Sequence, residues 1–390
     1  MIKTFQFRIY PTKKQEVTLN KTLSICRHLY NDSLSERKRN AELNRLQKSF
    51  DVFPWGKVYW VKYINQQNAL PLEKTNTQNE IYSQVLQDVL RRVDRSFQNF
   101  YNGAGYPRFQ GRNRYNSFTY TDSKRGFKLK HRTLYLSKIG GVKVILHRKI
   151  EGKIKTCTIK KDIDHWYVSF SCEIKEPTSV KINTKTGIDV GLIDLVTLSN
   201  GRQVKPPKFL RESEDKLTQE QKRLSRKKKG SGKRNRQKII VAKVHRKIRN
   251  QRKDFAHKLS RNLVDTYDSI KFEDLQIKNM VQNHHLAKSI SDAGWYQLMQ
   301  FTKYKAEYAG KIVEFVNPAG TSQTCICGFS VPKDLSVRTH ICPSCGLVMG
   351  RDQVSAILIE NRPSISTVGT TGINARQGLL NKGSMQRDAL

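Results

Sequence analysis

Acid is scarce in this sequence: 33 Asp+Glu stand against 72 Lys+Arg in 390 residues, a formal charge of +39. A folded chain of that sign repels itself and attracts polyanions. Long apolar runs are missing as well, none approaching the ~20 residues of a bilayer span. The opening MIKTFQFRIYPTKKQ lacks the apolar block of a secretory signal, so the reducing cytosol is the expected compartment. Neither a basic amphipathic helix with a bulky apolar face nor a lipidation signal is found, which excludes a membrane surface as the expected partner. The cations are spread along the chain and suit a long phosphate-tracking surface, so nucleic acid is the expected polyanion. With 37% hydrophobic residues the chain can fill cores, and its length suggests two or three domains.

Cysteine is sparse, and its spacing sorts it. Cys26, Cys157 and Cys172 are isolated in apolar or strand-like surroundings and read as small buried hydrophobes. Cys325, Cys327, Cys342 and Cys345 form two close pairs across a loop, which in a cytosolic protein points to a metal rather than to disulfides.

IKTFQFRI reads as a strand ended by Pro11, followed by a helix over 13–46 and a second over 77–101, whose Ile81, Val85, Leu86, Val89, Leu90, Val93, Phe97 and Phe100 share a face. From Ser117 to Ile174 the period switches to two, as in a small antiparallel barrel or sheet. The stretch before it mixes Arg108, Arg112 and Arg114 with Phe and Tyr, the composition of a surface that pairs phosphates and stacks bases. Near Thr186 a second unit begins with strands and an Asn200-Gly201 hairpin. A long basic helical pair over 208–266 follows, broken at Gly230-Ser231-Gly232. Between Lys222 and Lys253 there are 16 Lys/Arg in 32 residues and no acid, with Ile240, Val244 and Ile248 recurring every fourth position. One face is expected to pack while Lys227, Lys228, Lys229, Lys233, Arg234, Arg249 and Arg252 meet nucleic acid.

Three acids stand out. Asp189 lies inside an apolar strand, Glu273 ends the strand IKFE, and Asp352 opens a helix after the cysteine loop. A buried unpaired carboxylate is costly, and sharing divalent cations removes that cost. A hairpin start, a later parallel strand and a late acidic helix describe an RNase H-like core, whose hard oxygen ligands suit Mg²⁺. Asp194 and Asp274 are nearby competitors, and Asp194 sits in a turn, which counts against it.

GIDVGLIDLVTLSNG, HRKIRNQRKDFAHKLSRNLVDTYDSIKFEDLQIKNM and GWYQLMQFTKYKAEYAGKIVEFVNPAGTSQTC resemble, in order, the three-part RuvC-type nuclease of the TnpB family, transposon-encoded RNA-guided DNA nucleases related to type V CRISPR effectors. FQFRIYPTKKQEVTLNKTLSICRHLYN and YPRFQGRNRYNSFTY resemble it too, so the likeness spans roughly residues 3–359. It implies an α+β multidomain protein. A helical and β-barrel recognition lobe would span 1–180, a RuvC-like nuclease core 181–320 and 350–361, a zinc-ribbon-like insertion 321–349, and a mobile tail 362–390. It also implies Asp189, Glu273 and Asp352 as catalytic acids on two Mg²⁺, a guide RNA from the transposon end, double-stranded target DNA with a short adjacent motif, and work at the prokaryotic nucleoid.

The chain departs from the family twice. TSQTCICG gives Cys325-x-Cys327 where the family has C-x-x-C. Either Zn²⁺ still takes all four cysteines, or His340 replaces one of the first pair, or the site holds metal poorly. The last motif reads Gly350-Arg351-Asp352-Gln353, without the neighbouring Asp and Asn of the family. Loss of such supporting groups can weaken a metal site without abolishing it. The leading function is therefore an RNA-guided DNA endonuclease; the alternatives are an RNA-guided DNA-binding regulator with weak or no cleavage, and a transposase.

Overall fold

Alternation in IKTFQFRI places Phe5, Phe7 and Ile9 in a core, each at most 2% exposed, and leaves the intervening residues on the other face. Pro11 stops this strand, and Thr12 starts a helix: its hydroxyl accepts from the Gln15 N–H at 3.3 Å while the Gln15 side chain accepts from the Thr12 N–H at 2.9 Å. The computed structural model describes residues 1–49, 59–334 and 337–365, so the expected tail lies outside them from residue 366 on, as does part of the aromatic stretch 52–63. The described chain divides into two compact units after Lys175.

The first unit runs β1 (Ile2–Tyr10), α1 (Lys13–Ser49), α2 (Tyr63–Glu73), α3 (Asn76–Asn79) and α4 (Ser83–Tyr101). Then come β2 (Ser117–Tyr120), β3 (Phe127–Lys130), β4 (Thr133–Leu136), β5 (Gly140–Ile145), β6 (Lys153–Asp162) and β7 (His165–Glu173). All seven strands form one antiparallel sheet in the order β2-β6-β7-β1-β5-β4-β3. Of the small barrel or sheet expected over 117–174 the chain forms a sheet, larger than that segment: β1 sits at its centre, and among the described residues no ladder joins β2 to β3. The single helix expected over 77–101 is broken, because Tyr82 is extended (φ −61°, ψ 127°) and sends its hydroxyl to Asp122 at 2.8 Å. Val85, Leu86, Val89, Leu90 and Val93 nonetheless face the core, as do Cys26, Cys157 and Cys172.

The second unit opens with β8 (Lys185–Val190), β9 (Val196–Leu198) and β10 (Gln203–Val204), then α5 (Phe209–Glu212), α6 (Glu214–Ser225) and α7 (Gly232–Thr266). β11 (Ser269–Glu273), α8 (Ile277–Met280), α9 (His284–Ala293), α10 (Trp295–Tyr308) and β12 (Ile312–Val316) follow. A small hairpin, β13 (Thr339–Ile341) and β14 (Val348–Gly350), leads into α11 (Arg351–Asn361). The main sheet has the order β10-β9-β8-β11-β12, antiparallel among its first three strands and parallel among β8, β11 and β12. On α7 the buried stripe is Val241, Val244 and Ile248; Ile240, expected inside, is 44% exposed. Spacings of three and four alternate along a packed helical face, so a strict four-residue repeat drifts off it.

Candidate active site and metal centre

Parallel pairing in register (Ile188 opposite Phe272) brings the next residues of β8 and β11, Asp189 and Glu273, to the same carboxyl edge of the sheet. In open α/β sheets that edge is where ligands bind. The third acid arrives by helix packing. A Cβ on Gly187 would lie 2.1 Å from the Ala356 carbonyl oxygen and 2.4 Å from the Glu360 nitrogen, so α11 rests directly on the β8 backbone. Asp352, in the first turn of α11, then comes close enough to act on Asp189. Burial, with the neighbouring carboxylates of Glu273 and Asp352, pushes the Asp189 carboxyl well above the usual range, against the opposing pull of Arg351.

Glu273 is 8% exposed. Burial raises its pKa, while the Thr321 hydroxyl, which donates to Oε1, and the Arg362 guanidinium oppose the rise. Asp352 is held by guanidinium groups: Arg351 donates to its Oδ1 from Nε at 3.1 Å and Nη2 at 2.9 Å, and Arg338 Nη1 stands 3.7 Å from Oδ2. Ser355 donates to the Thr321 carbonyl at 3.3 Å, linking α11 to the loop that supports Glu273. Asp194 sits in the turn after β8 and pairs with Lys205 at 2.7 Å. Asp274 is exposed. Thr321 and Arg338 escape a reading of the sequence, since nothing local marks a loop hydroxyl or one more arginine as a carboxylate partner. Asp189 and Glu273, both disfavoured as anions, with Asp352 near them, carry charge that a hard divalent cation would relieve, though among the described residues only Cys325, Cys327, Cys342 and Cys345 bring three or more such ligand atoms within 4.8 Å of one another.

The sulfurs of Cys325, Cys327, Cys342 and Cys345 all lie within 4.8 Å of one another. Sγ of Cys325 is 3.6 Å from that of Cys345, and Sγ of Cys327 is 3.7 Å from that of Cys342. A zinc tetrahedron with ~2.3 Å bonds has edges of about 3.8 Å, so this donor set fits Zn²⁺. His340 stands outside the group, its Nδ1 against Lys333.

The shortened first pair is absorbed by a tighter turn. In the second loop the Gly346 N–H reaches back to the Cys342 carbonyl at 3.0 Å, a span of four residues. In the first, the Gly328 N–H reaches the Cys325 carbonyl at 2.9 Å across only three. Gly328 adopts φ +89°, a left-handed value that a glycine takes without strain. Burial opposes ionisation of Cys342, yet the N–H groups of Cys345 and Ser344 and the neighbouring thiols bring its pKa down to about 6. The cysteine lobe is fastened to α11 where the Arg351 N–H donates to the Arg338 carbonyl at 2.8 Å.

Arg108, Arg112 and Arg114 are exposed on the loop before β2. Paired bonds between Asn31 and Gln110, of 3.1 and 2.8 Å, pin that loop to α1. Phe109 is 49% exposed beside them, with Lys38 Nζ 4.5 Å from its ring centre. On the basic hairpin Lys228, Lys229, Lys233 and Arg249 point outward. Lys227, Arg234 and Arg252 are engaged within the fold. Lys227 reaches Gln237 at 3.2 Å, Arg234 caps the Leu224 and Lys227 carbonyls at 2.7 Å each, and Arg252 grips Asp292 at 2.9 and 2.6 Å.

Three family profiles match: "Probable transposase" over residues 169–284, "Cas12f1-like, TNB domain" over 295–359 and "Helix-turn-helix domain" over 1–45. The last falls here on a strand and one uninterrupted helix. A "Putative RNA-guided DNA endonuclease" of Streptomyces pristinaespiralis is 32% identical over 364 residues, covering 90% of this chain and 86% of that one. "Putative RNA-guided DNA endonuclease InsQ" of Escherichia coli K12 is 29% identical, covering 85% of each. The mini-RNA-guided endonuclease CRISPR-Cas phi3 has a TM-score of 0.48 at 10% identity over 92% of each chain, a likeness too remote to bear on function. Among the described residues no helix is long and apolar enough to cross a membrane.

Proposed function

Since the chain belongs to the TnpB family, we propose that it is an RNA-guided DNA endonuclease whose second unit is a RuvC-type, RNase H-like core cutting DNA at Asp189, Glu273 and Asp352. The observation that carries this reading is that Asp189 and Glu273 end neighbouring parallel strands in register, while α11, seated on the Gly187 backbone, carries Asp352 toward them. A pair of Mg²⁺ ions held there would stabilise the attacking and leaving oxygens of the scissile phosphate. The chain's own part is positional. β8 and β11 fix two acids side by side, α11 delivers the third, and Thr321 orients Glu273. Guide pairing supplies sequence specificity, while the exposed cations of both units bind backbone phosphates. The guide comes from the transposon end, and the target carries a short adjacent motif. Cys325, Cys327, Cys342 and Cys345 hold Zn²⁺ in a ribbon-like insertion, which fixes Arg338 and the start of α11.

A second reading, an RNA-guided DNA binder that cuts weakly, draws on the two guanidiniums engaging Asp352. The purified protein with its copurified RNA, incubated with matched plasmid and Mg²⁺, separates the two. Cleavage abolished in Asp189→Ala, Glu273→Ala and Asp352→Ala, with guide and target binding retained, supports the endonuclease. Tight binding without cutting by the unaltered protein supports the regulator.

A further inference from the structure

Beside the carboxylate edge lies a cleft of about 420 Å³ that the reading above leaves unused. Its walls include Leu192, Ile193, Lys205, Lys208, Arg211 and Ser289. The topology explains its place. β9 runs antiparallel to β8 and β10 antiparallel to β9, so β10 points the same way as β8. The residues that follow β10 therefore emerge at the edge where Asp189 and Glu273 end their strands, two strand spacings from Asp189, or about 10 Å. The turn after β8 supplies the apolar wall, with Ile193 53% exposed and aimed at no core.

The cleft is preformed. Asp292 of α9 accepts from Arg252 and from the Leu210 N–H at 3.2 Å, locking α9 to α5 and α7, and the Trp295 indole holds the turn at the Gly191 carbonyl at 3.1 Å. The acids at its rim are already matched, Asp194 by Lys205 and Asp292 by Arg252. Lys208 and Arg211 pair with no carboxylate among the described residues. Lys208 also holds a left-handed backbone (φ 49°, ψ 35°), uncommon for a residue with a side chain. Strain of that kind is retained at sites where the surrounding structure specifies one geometry.

Unmatched cations beside an exposed aliphatic wall recognise a phosphate followed by a sugar or base face. We propose that this cleft binds the backbone of the DNA strand being cut, on one side of the scissile bond, with Lys208 and Arg211 on its phosphates and Ile193 against a sugar or base. The inference rests on the endonuclease reading for its choice of DNA.

The test uses the protein with its copurified RNA and matched DNA carrying 5-bromouracil at successive positions on each strand. Irradiation is expected to crosslink the peptides spanning 191–211 to one DNA strand near the cut. Crosslinks there to the guide RNA instead, or none while other peptides react, overturn the proposal. Lys208→Gly and Arg211→Gln provide the quantitative arm. Glycine takes the left-handed backbone without strain, and a thermal melt run beside the titration separates loss of the cation from loss of the fold. Each variant is expected to flatten the salt dependence of single-stranded oligonucleotide binding by about 0.7 in slope, with RNA retention unchanged. Unaltered slopes in both variants overturn the assignment. A wild type that binds but never cuts defeats the endonuclease reading alone, and the crosslinks and slopes still decide the cleft.

Discussion

Asp268 joins the amino ends of three parallel strands with one carboxylate. Its Oδ2 accepts from the N–H groups of Asn183 and Thr184, each at 3.1 Å, just before β8, and its Oδ1 meets Lys311 Nζ at 3.1 Å, just before β12. Donation from the Asn183 N–H, then from Lys311 and Thr184, holds its pKa down at about 2. A carboxyl depressed in the fold stabilises it above the unfolded-state pKa of about 3.9, and that contribution fades as pH falls from about 4 toward 2. Asp268→Asn is therefore expected to be less stable than the wild type at pH 7, with the gap closing on acidification. Urea midpoints at pH 7 and near pH 3 check this; a gap of constant size would mean that the loss does not come from the ionised carboxylate. At this same scale Asp189 and Glu273 stand out in the sequence because a carboxylate inside or ending an apolar strand violates local pattern, and Asp352 because it opens a helix directly after the cysteine loop. Asp268, Thr321 and Arg338 violate nothing locally, and their meaning lies wholly in partners brought from afar.

The element on which the site turns is α11, and its docking depends on one missing side chain. Gly187 lets the β8 backbone touch α11 at Ala356 and Glu360, with no room for a methyl group between backbone atoms. Gly187→Ala must push the helix outward, and Asp352 moves with it. We expect a loss of about 1–3 kcal/mol of stability, typical of overpacking, and a fall in cleavage beyond anything the shifted melting temperature explains. Thermal melts and cleavage rates measured together decide it, and a variant that melts lower yet cuts normally would show that Asp352 does not need this seat. Sequence periodicity located β8, β11, α10 and α11, whose patterns are local. It did not place β1 at the centre of the first sheet, because strand pairing between residues ~160 apart along the chain leaves no periodic trace. On α7 it found Val244 and Ile248 but took Ile240 in place of its neighbour Val241, which is the buried one.

Over the whole molecule the charge of +39 demands a polyanion, and the hairpin of α6 and α7 shows how the cations divide their labour. Lys228, Lys229 and Lys233 stand exposed at its tip, while Arg234 folds back to cap two carbonyls of the α6 terminus. A phosphate contact releases counterions, so removing one flattens the dependence of log affinity on log salt by about 0.9 on duplex nucleic acid. Replacing the three lysines with Gln should therefore flatten the slope by roughly that amount for each residue that touches a phosphate. The fold should not suffer, since mutual repulsion is relieved. Arg234→Gln should do the opposite. It leaves two carbonyls without their donor and lowers the melting temperature, and the salt slope stays where it was. Binding titrations over a range of salt, run beside thermal melts on the wild type and both variants, separate the two classes of cation. A slope unmoved by the triple replacement would make the tip a solvated surface and shift the burden of the polyanion to Arg108, Arg112 and Arg114.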